Sequence, residues 1–231
     1  MDDPSDQPKH TIRATKSAGR KMRSLLLDAA SGLFKERGLS GTSINDIAAA
    51  ADAFPSQITY YFRTKEALFV ETACRDVLYL ARAAEEAALK ANTPQEYVRA
   101  LAETVTANDT VAFFTDALAL ARRRPNLAPL VERTMERLHG EGKRAFAAQV
   151  ERHGWQPLRA PEETSQRFWA VAIGVVNEGL AMGRSPDEMC TALLRAIGDQ
   201  AMESTVAGGA GRLRVVGAQA VTNSTDKERR S

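Results

Sequence analysis

The chain has 231 residues, 44% of them hydrophobic, enough for one large or two small domains with a substantial core. Its net charge is only +2, yet Lys9–Lys65 carries ten basic and four acidic residues, while the chain from Glu66 onward carries 21 and 22. No apolar run reaches the roughly 18 residues of a bilayer span, and the N-terminus is polar where a secretory signal would be apolar. Cys74 and Cys190 stand far apart in apolar-periodic surroundings, which suits buried thiols better than a disulfide. Together these features predict a cytoplasmic protein with no membrane partner, whose basic first quarter faces phosphates.

Residues 1–18 contain Pro4 and Pro8, show no apolar period and read as a flexible basic arm. The spacing of Leu26, Ala29, Ala30, Leu33 and Phe34 predicts a first helix from about Arg20 to Arg37, with Gly38 as its left-handed cap. Thr42 is the expected N-cap of a second helix carrying Ile44, Ile47, Ala48 and Ala51. Asp52-Ala53-Phe54 breaks the pattern, and Pro55 opens a third helix on which Ile58 and Phe62 share one face. Ser56, Gln57, Thr59 and Tyr60 therefore point elsewhere. Thr64 caps the next helix, with Lys65 in its first turn. Two short helices across a three-residue turn form a helix-turn-helix, whose second helix fits a major groove. Residues 19–66 are thus expected to be a DNA-binding domain.

Leu33-Phe34…Gly38, Thr42-Ser43, Ile47-Ala48, Ile58-Thr59-Tyr60-Tyr61-Phe62 and Phe62…Lys65…Leu68 are similar to the pattern of the TetR family of bacterial transcriptional regulators. The resemblance spans Leu25–Leu68. It implies a dimer bound to double-stranded operator DNA, with Lys65 on a phosphate; Tyr61 resembles the family's phosphate-contacting residue, with half-burial against the first helix as the other reading. From their chemistry, Ser56, Gln57, Thr59 and Tyr60 are candidate base readers. Thr42 and the arm-proximal Arg20 and Lys21 are candidate phosphate or minor-groove contacts. The sequence departs from the family pattern at three places. Asp52 stands where the turn usually has Gly, and tolerates a left-handed backbone. Phe54 replaces a small polar residue and is expected to staple onto the third helix. Thr59 stands where the family often has Tyr.

From residue 67 to 204 every segment reads as helix, giving an all-α chain of about nine helices, followed by a Gly-rich flexible tail over 205–231. Thr93-Pro94-Gln95-Glu96 and Ser185-Pro186-Asp187-Glu188 are expected capping boxes, and Gly140 and Gly142 are expected to loosen the seventh helix. The resemblance implies that the last two helices, about 161–204, pair with a second copy, and that a small-molecule effector enters between helices 4 and 8. Phe113, Phe114, Leu118, Trp169, Ile173 and Val176 are candidate pocket walls or equally good core. Asn177 and Glu178 are polar groups on an apolar helix that could orient a ligand, form a dimer hydrogen bond or face solvent, and Asn177 is counted with the candidate ligand-binding residues.

His10, His139 and His153 belong to no metal-ligand pattern, and no nucleophile signature is present, so neither enzyme, metal site nor cofactor is expected. The reading is a homodimeric repressor released from a near-palindromic operator by a small molecule. A ligand-independent activator or architectural DNA-binding protein is the alternative.

Overall fold

The computed structural model describes residues 9–198, and among them every regular element is helical. The helices are α1 (Lys9–Arg37), α2 (Ile44–Ala50), α3 (Pro55–Phe62), α4 (Lys65–Ala88), α5 (Pro94–Thr106), α6 (Thr110–Arg123), α7 (Ala128–His153), α8 (Pro161–Ala181) and α9 (Pro186–Ile197). A single 3-10 turn, Pro125–Leu127, separates α6 from α7. No helix among the described residues is long and apolar enough to cross a membrane.

The first helix starts at Lys9 rather than near Arg20, so part of the expected arm is helical. Residues 1–8, the end of the expected last helix beyond 198 and the tail lie outside the described residues. Gly38 closes α1 at φ +69, a conformation that costs glycine no steric penalty, and donates its N–H to Phe34 O at 2.9 Å. The residue at the turn of the helix-turn-helix, Asp52, has φ +49, as its short polar side chain allows.

Two caps differ from the sequence reading. Ser43, not Thr42, caps α2: its hydroxyl accepts from Asp46 N at 3.1 Å and the Asp46 carboxylate accepts from Ser43 N at 2.9 Å. Ahead of α5, Thr93 accepts from Glu96 N as expected, but the Glu96 carboxylate accepts from Asn92 N instead of Thr93 N. The box at Ser185 and Glu188 is reciprocal.

One continuous core runs from Leu26 and Ile47 in the first three helices to Leu193 and Ile197 in α9. The expected domain boundary at residue 66 falls inside α4, which is unbroken across it. Where the first three helices meet the rest, Phe34 of α1, Phe69 of α4 and Phe113 of α6 pack edge to face, Phe69 lying 5.0 Å from each neighbour. Gly140 and Gly142 do not interrupt α7. Gly142 instead admits α8, since a Cβ there would lie 2.5 Å from Ser165 Oγ.

Candidate nucleic-acid interface and interior cavity

The third helix is held from one side. Ile58 and Phe62 are fully or nearly fully buried, while Ser56, Thr59 and Tyr60 are exposed, Tyr60 at 80%. Tyr61 is half-buried and stacks edge to face on Tyr60 at 5.0 Å. Its hydroxyl reaches α1, where a Cβ on Gly19 would lie 3.4 Å away. The exposed Arg20 and Lys21 follow directly, so α1 delivers two cations beside the outer face of α3. Gln57 is half-buried, and its Oε1 accepts from Phe54 N at 2.9 Å. That bond fixes the side chain at the helix start through its amide oxygen. Phe54 does not staple onto α3: it is 75% exposed, because Gln57 rather than an apolar contact anchors the helix entry. Arg63, not anticipated from the sequence, ends α3 at φ +67 with an exposed side chain. No sequence signal distinguishes it from an ordinary surface arginine.

Thr42 and Lys65 sit differently from their sequence reading. Thr42 is 1% exposed, and its hydroxyl donates to Gly38 O at 2.9 Å and Leu33 O at 3.2 Å. Burial closes that side chain to a phosphate; its work is to satisfy carbonyls at the C-terminal end of α1. Lys65 Nζ donates to Leu39 O and Thr42 O, both at 2.8 Å. The half-buried ammonium thus ties the start of α4 to the α1–α2 turn and keeps one N–H for another acceptor.

A second tie between α1 and α4 is electrostatic. Asp76, 7% exposed on α4, accepts from Ser31 and pairs with Lys35 of α1 at 2.8 Å. Its neighbour Arg75 reaches Asp76 at 3.0 Å, Asp28 at 2.7 Å and Leu27 O at 3.3 Å. Arg23 pairs with Glu71 further up the same seam and lies over the Phe62 ring at 5.2 Å. The head formed by the first three helices is therefore bolted to α4 at several points.

The interior cavity, about 60 Å³, lies among α4, α5, α7, α8 and α9. Tyr97, Phe146, Phe168 and Trp169 are its aromatic walls, and Glu85, Arg159 and Arg167 its charged ones. Of the candidate pocket residues only Trp169 lines it. Phe113, Phe114 and Val176 are core: Phe113 belongs to the aromatic seam with Phe34 and Phe69, and Phe114 and Val176 are at most 1% exposed. Leu118 and Ile173 pack on that core from the side, while Asn177 and Glu178 are exposed. Burial raises the Tyr97 phenol pKa, helped by the Glu85 charge; burial and nearby Glu141 raise the Glu85 carboxyl pKa. A surface groove of about 270 Å³ between α4 and α7 also reaches Glu85 and Tyr97. Among the described residues no cluster of His, Cys, Asp and Glu could hold a metal ion.

Comparison with known proteins follows this division of the chain. Residues 26–72 match the family described as bacterial regulatory proteins, tetR family, and residues 94–198 match one described as bacterial transcriptional repressor C-terminal. A candidate transcriptional regulator from Rhodococcus sp. RHA1 is similar at 35% identity, covering 76% of this chain and 93% of its own, with a TM-score of 0.68. A candidate TetR-family regulator from Mesorhizobium loti MAFF303099 shares the fold at 20% identity, covering 78% and 94%, with a TM-score of 0.61. A candidate regulator from Saccharomonospora viridis, solved with choline, shares it at 19% identity, covering 80% and 100%, with a TM-score of 0.62. No curated protein matches the chain.

Proposed function

Because the chain belongs to the TetR family of bacterial transcriptional regulators, we propose that it is a homodimeric repressor released from a near-palindromic operator by a small molecule. The observation that carries the DNA-binding part is the outer face of α3. Ser56, Thr59 and Tyr60 project from a helix locked by Ile58 and Phe62, with Arg20, Lys21 and Arg63 exposed around it. The polar side chains read base edges and thymine methyls, while the cations and the remaining Lys65 N–H meet phosphates. Tyr61 and the Gln57 amide add contacts at the edge of that face.

Dimerisation is supported by the outer side of α8. Ala170, Gly174, Asn177 and Ala181 recur there at helical spacing and are all exposed, leaving a shallow surface on which a second copy can approach closely. Leu180 and Met182 extend it with exposed apolar area. Release by ligand is supported by the cavity, which α4 lines at one end while holding the DNA-binding head at the other. A ligand moves the head only by binding one arrangement of α4 better than another.

The test is selection of bound duplexes from a random pool with purified full-length protein near physiological salt. A near-palindrome with two half-sites is the expected result. Recovery of unselective binding that merely weakens with salt would overturn the operator reading in favour of an architectural protein.

A further inference from the structure

Glu85 and Tyr97 line both the interior cavity and the outer groove, so these two side chains stand between solvent and the aromatic interior. Glu85 is half-buried there, outside all the ion pairs formed among the described residues. Its neighbours are otherwise engaged: Glu86 holds Arg82 at 2.9 Å and Glu141 holds Arg137 at 2.7 Å. Arg144 on α7 draws its pKa down, but less than burial and Glu141 push it up.

A second unmet acceptor lines the same groove. Gln149 is 4% exposed, and its Oε1 accepts no hydrogen bond. A buried acceptor left in this state destabilises the fold, and a donor from outside satisfies it. Behind these two groups the walls are aromatic. Tyr97 and Phe146 lie 5.7 Å apart, and Phe168 and Trp169 lie 5.6 Å apart. Such rings present faces that attract a cation and bury an alkyl chain.

The two arginines do not turn this into an anion site. Arg159 is paired with Glu163, and Arg167 donates to Ala196 O at 3.2 Å. Size narrows the ligand further. One water needs roughly 10–15 Å³ on this scale, so the cavity takes a chain of about four to six heavy atoms. We infer that the site binds a small primary alkylammonium ion, its head between Glu85 and Gln149 and its tail in the aromatic cavity. This inference names the effector class and rests on the reading of the second domain as ligand-responsive.

The test uses full-length protein, calorimetric titration, and three probes of one length: n-pentylamine, n-pentanol and pentanoate. The amine is expected to bind about tenfold or more tighter than pentanoate. Glu85→Gln, which keeps the shape and removes the charge, is expected to weaken the amine about tenfold and to leave pentanol within about twofold. Gln149→Leu is the second variant, expected to weaken the amine about fivefold. Pentanoate binding as tightly as the amine, or amine binding indifferent to both substitutions, overturns the inference.

Repeating the titration on the operator complex separates the two claims. Amine binding that depends on Glu85 but leaves operator affinity unchanged keeps the amine site and removes ligand release. Operator release by pentanoate and not by pentylamine removes the amine inference and keeps the ligand-responsive regulator.

Discussion

Replacing Asp76 with Asn tests how the DNA-binding head is fastened to the rest of the molecule. The carboxylate is 7% exposed and meets Ser31 and Lys35 of α1 and the adjacent Arg75. Asn is nearly isosteric, so packing is kept while the charge is lost and an N–H₂ group faces donors. Removing one partner from a fully buried pair costs about 3–5 kcal/mol. Here the Lys35 side chain is 28% exposed and the Arg75 side chain 16% exposed, and Arg75 keeps Asp28 and Leu27 O. Solvent and those partners reduce the expected loss to about 2–3 kcal/mol. For a chain of this size that corresponds to a fall in Tm of roughly 4–12 °C. Denaturant titration and thermal melting of the full chain measure it, and a cycle with Lys35→Met isolates the pair, with a coupling of about 0.5–3 kcal/mol expected. A Tm unchanged within a degree or so, or strict additivity with Lys35→Met, would refute the claim that Asp76 is the bolt.

Lys65→Met removes two ammonium bonds to Leu39 O and Thr42 O and should lower stability by about 1.5–3 kcal/mol. If its third N–H also meets a phosphate, the salt dependence of operator binding falls by about one unit per half-site; an unchanged slope makes Lys65 a positioning residue alone. Tyr60→Ala should reduce discrimination between operator variants by roughly 1–3 kcal/mol at one base, and a uniform loss across all duplexes would assign Tyr60 to backbone contact instead. Gly140→Ala and Gly142→Ala should shift Tm in opposite directions. At Gly140 a Cβ meets only Arg144 Nη1 at 3.9 Å and helix propensity gains up to about 1 kcal/mol, whereas at Gly142 it collides with Ser165 Oγ; equal shifts would reject the close α7–α8 approach.

Acid should weaken the start of α2 through Asp46. Hydrogen bonds from the Ser43 side chain and backbone hold its carboxyl pKa below the ordinary aspartate value. A folded-state pKa below the unfolded one contributes stability that is present above about pH 4 and lost as pH falls through the folded value. Ser43→Ala should reduce that part of the pH dependence, since only the backbone N–H bond to Asp46 remains. Loss of the capping hydroxyl should cost about 0.5–2 kcal/mol at neutral pH, as read by pH-dependent melting. Identical acid profiles for the two proteins would contradict the capping box.

Local and periodic features were legible in the amino-acid order. Apolar spacing set the helices, Gly38 and Asp52 marked the left-handed positions, and Ile58 with Phe62 determined which side of α3 faces outward. The sequence also held the right cap, since Ser43 and Asp46 stand at capping-box spacing beside the equally plausible Thr42. These are interactions within a few residues, governed by backbone geometry and helical period. What depends on distant chain segments was decided only by tertiary structure. Phe113 and Phe168 are both aromatic residues on apolar helix faces, yet one fills the seam with Phe34 and Phe69 and the other walls a cavity. Nothing in their local pattern separates those fates, because a cavity exists only where the faces of several helices fail to close on one another. The same holds for Lys65, whose ammonium finds carbonyls more than twenty residues away in sequence, and for Glu85, which becomes a half-buried charge only when α7 packs across α4.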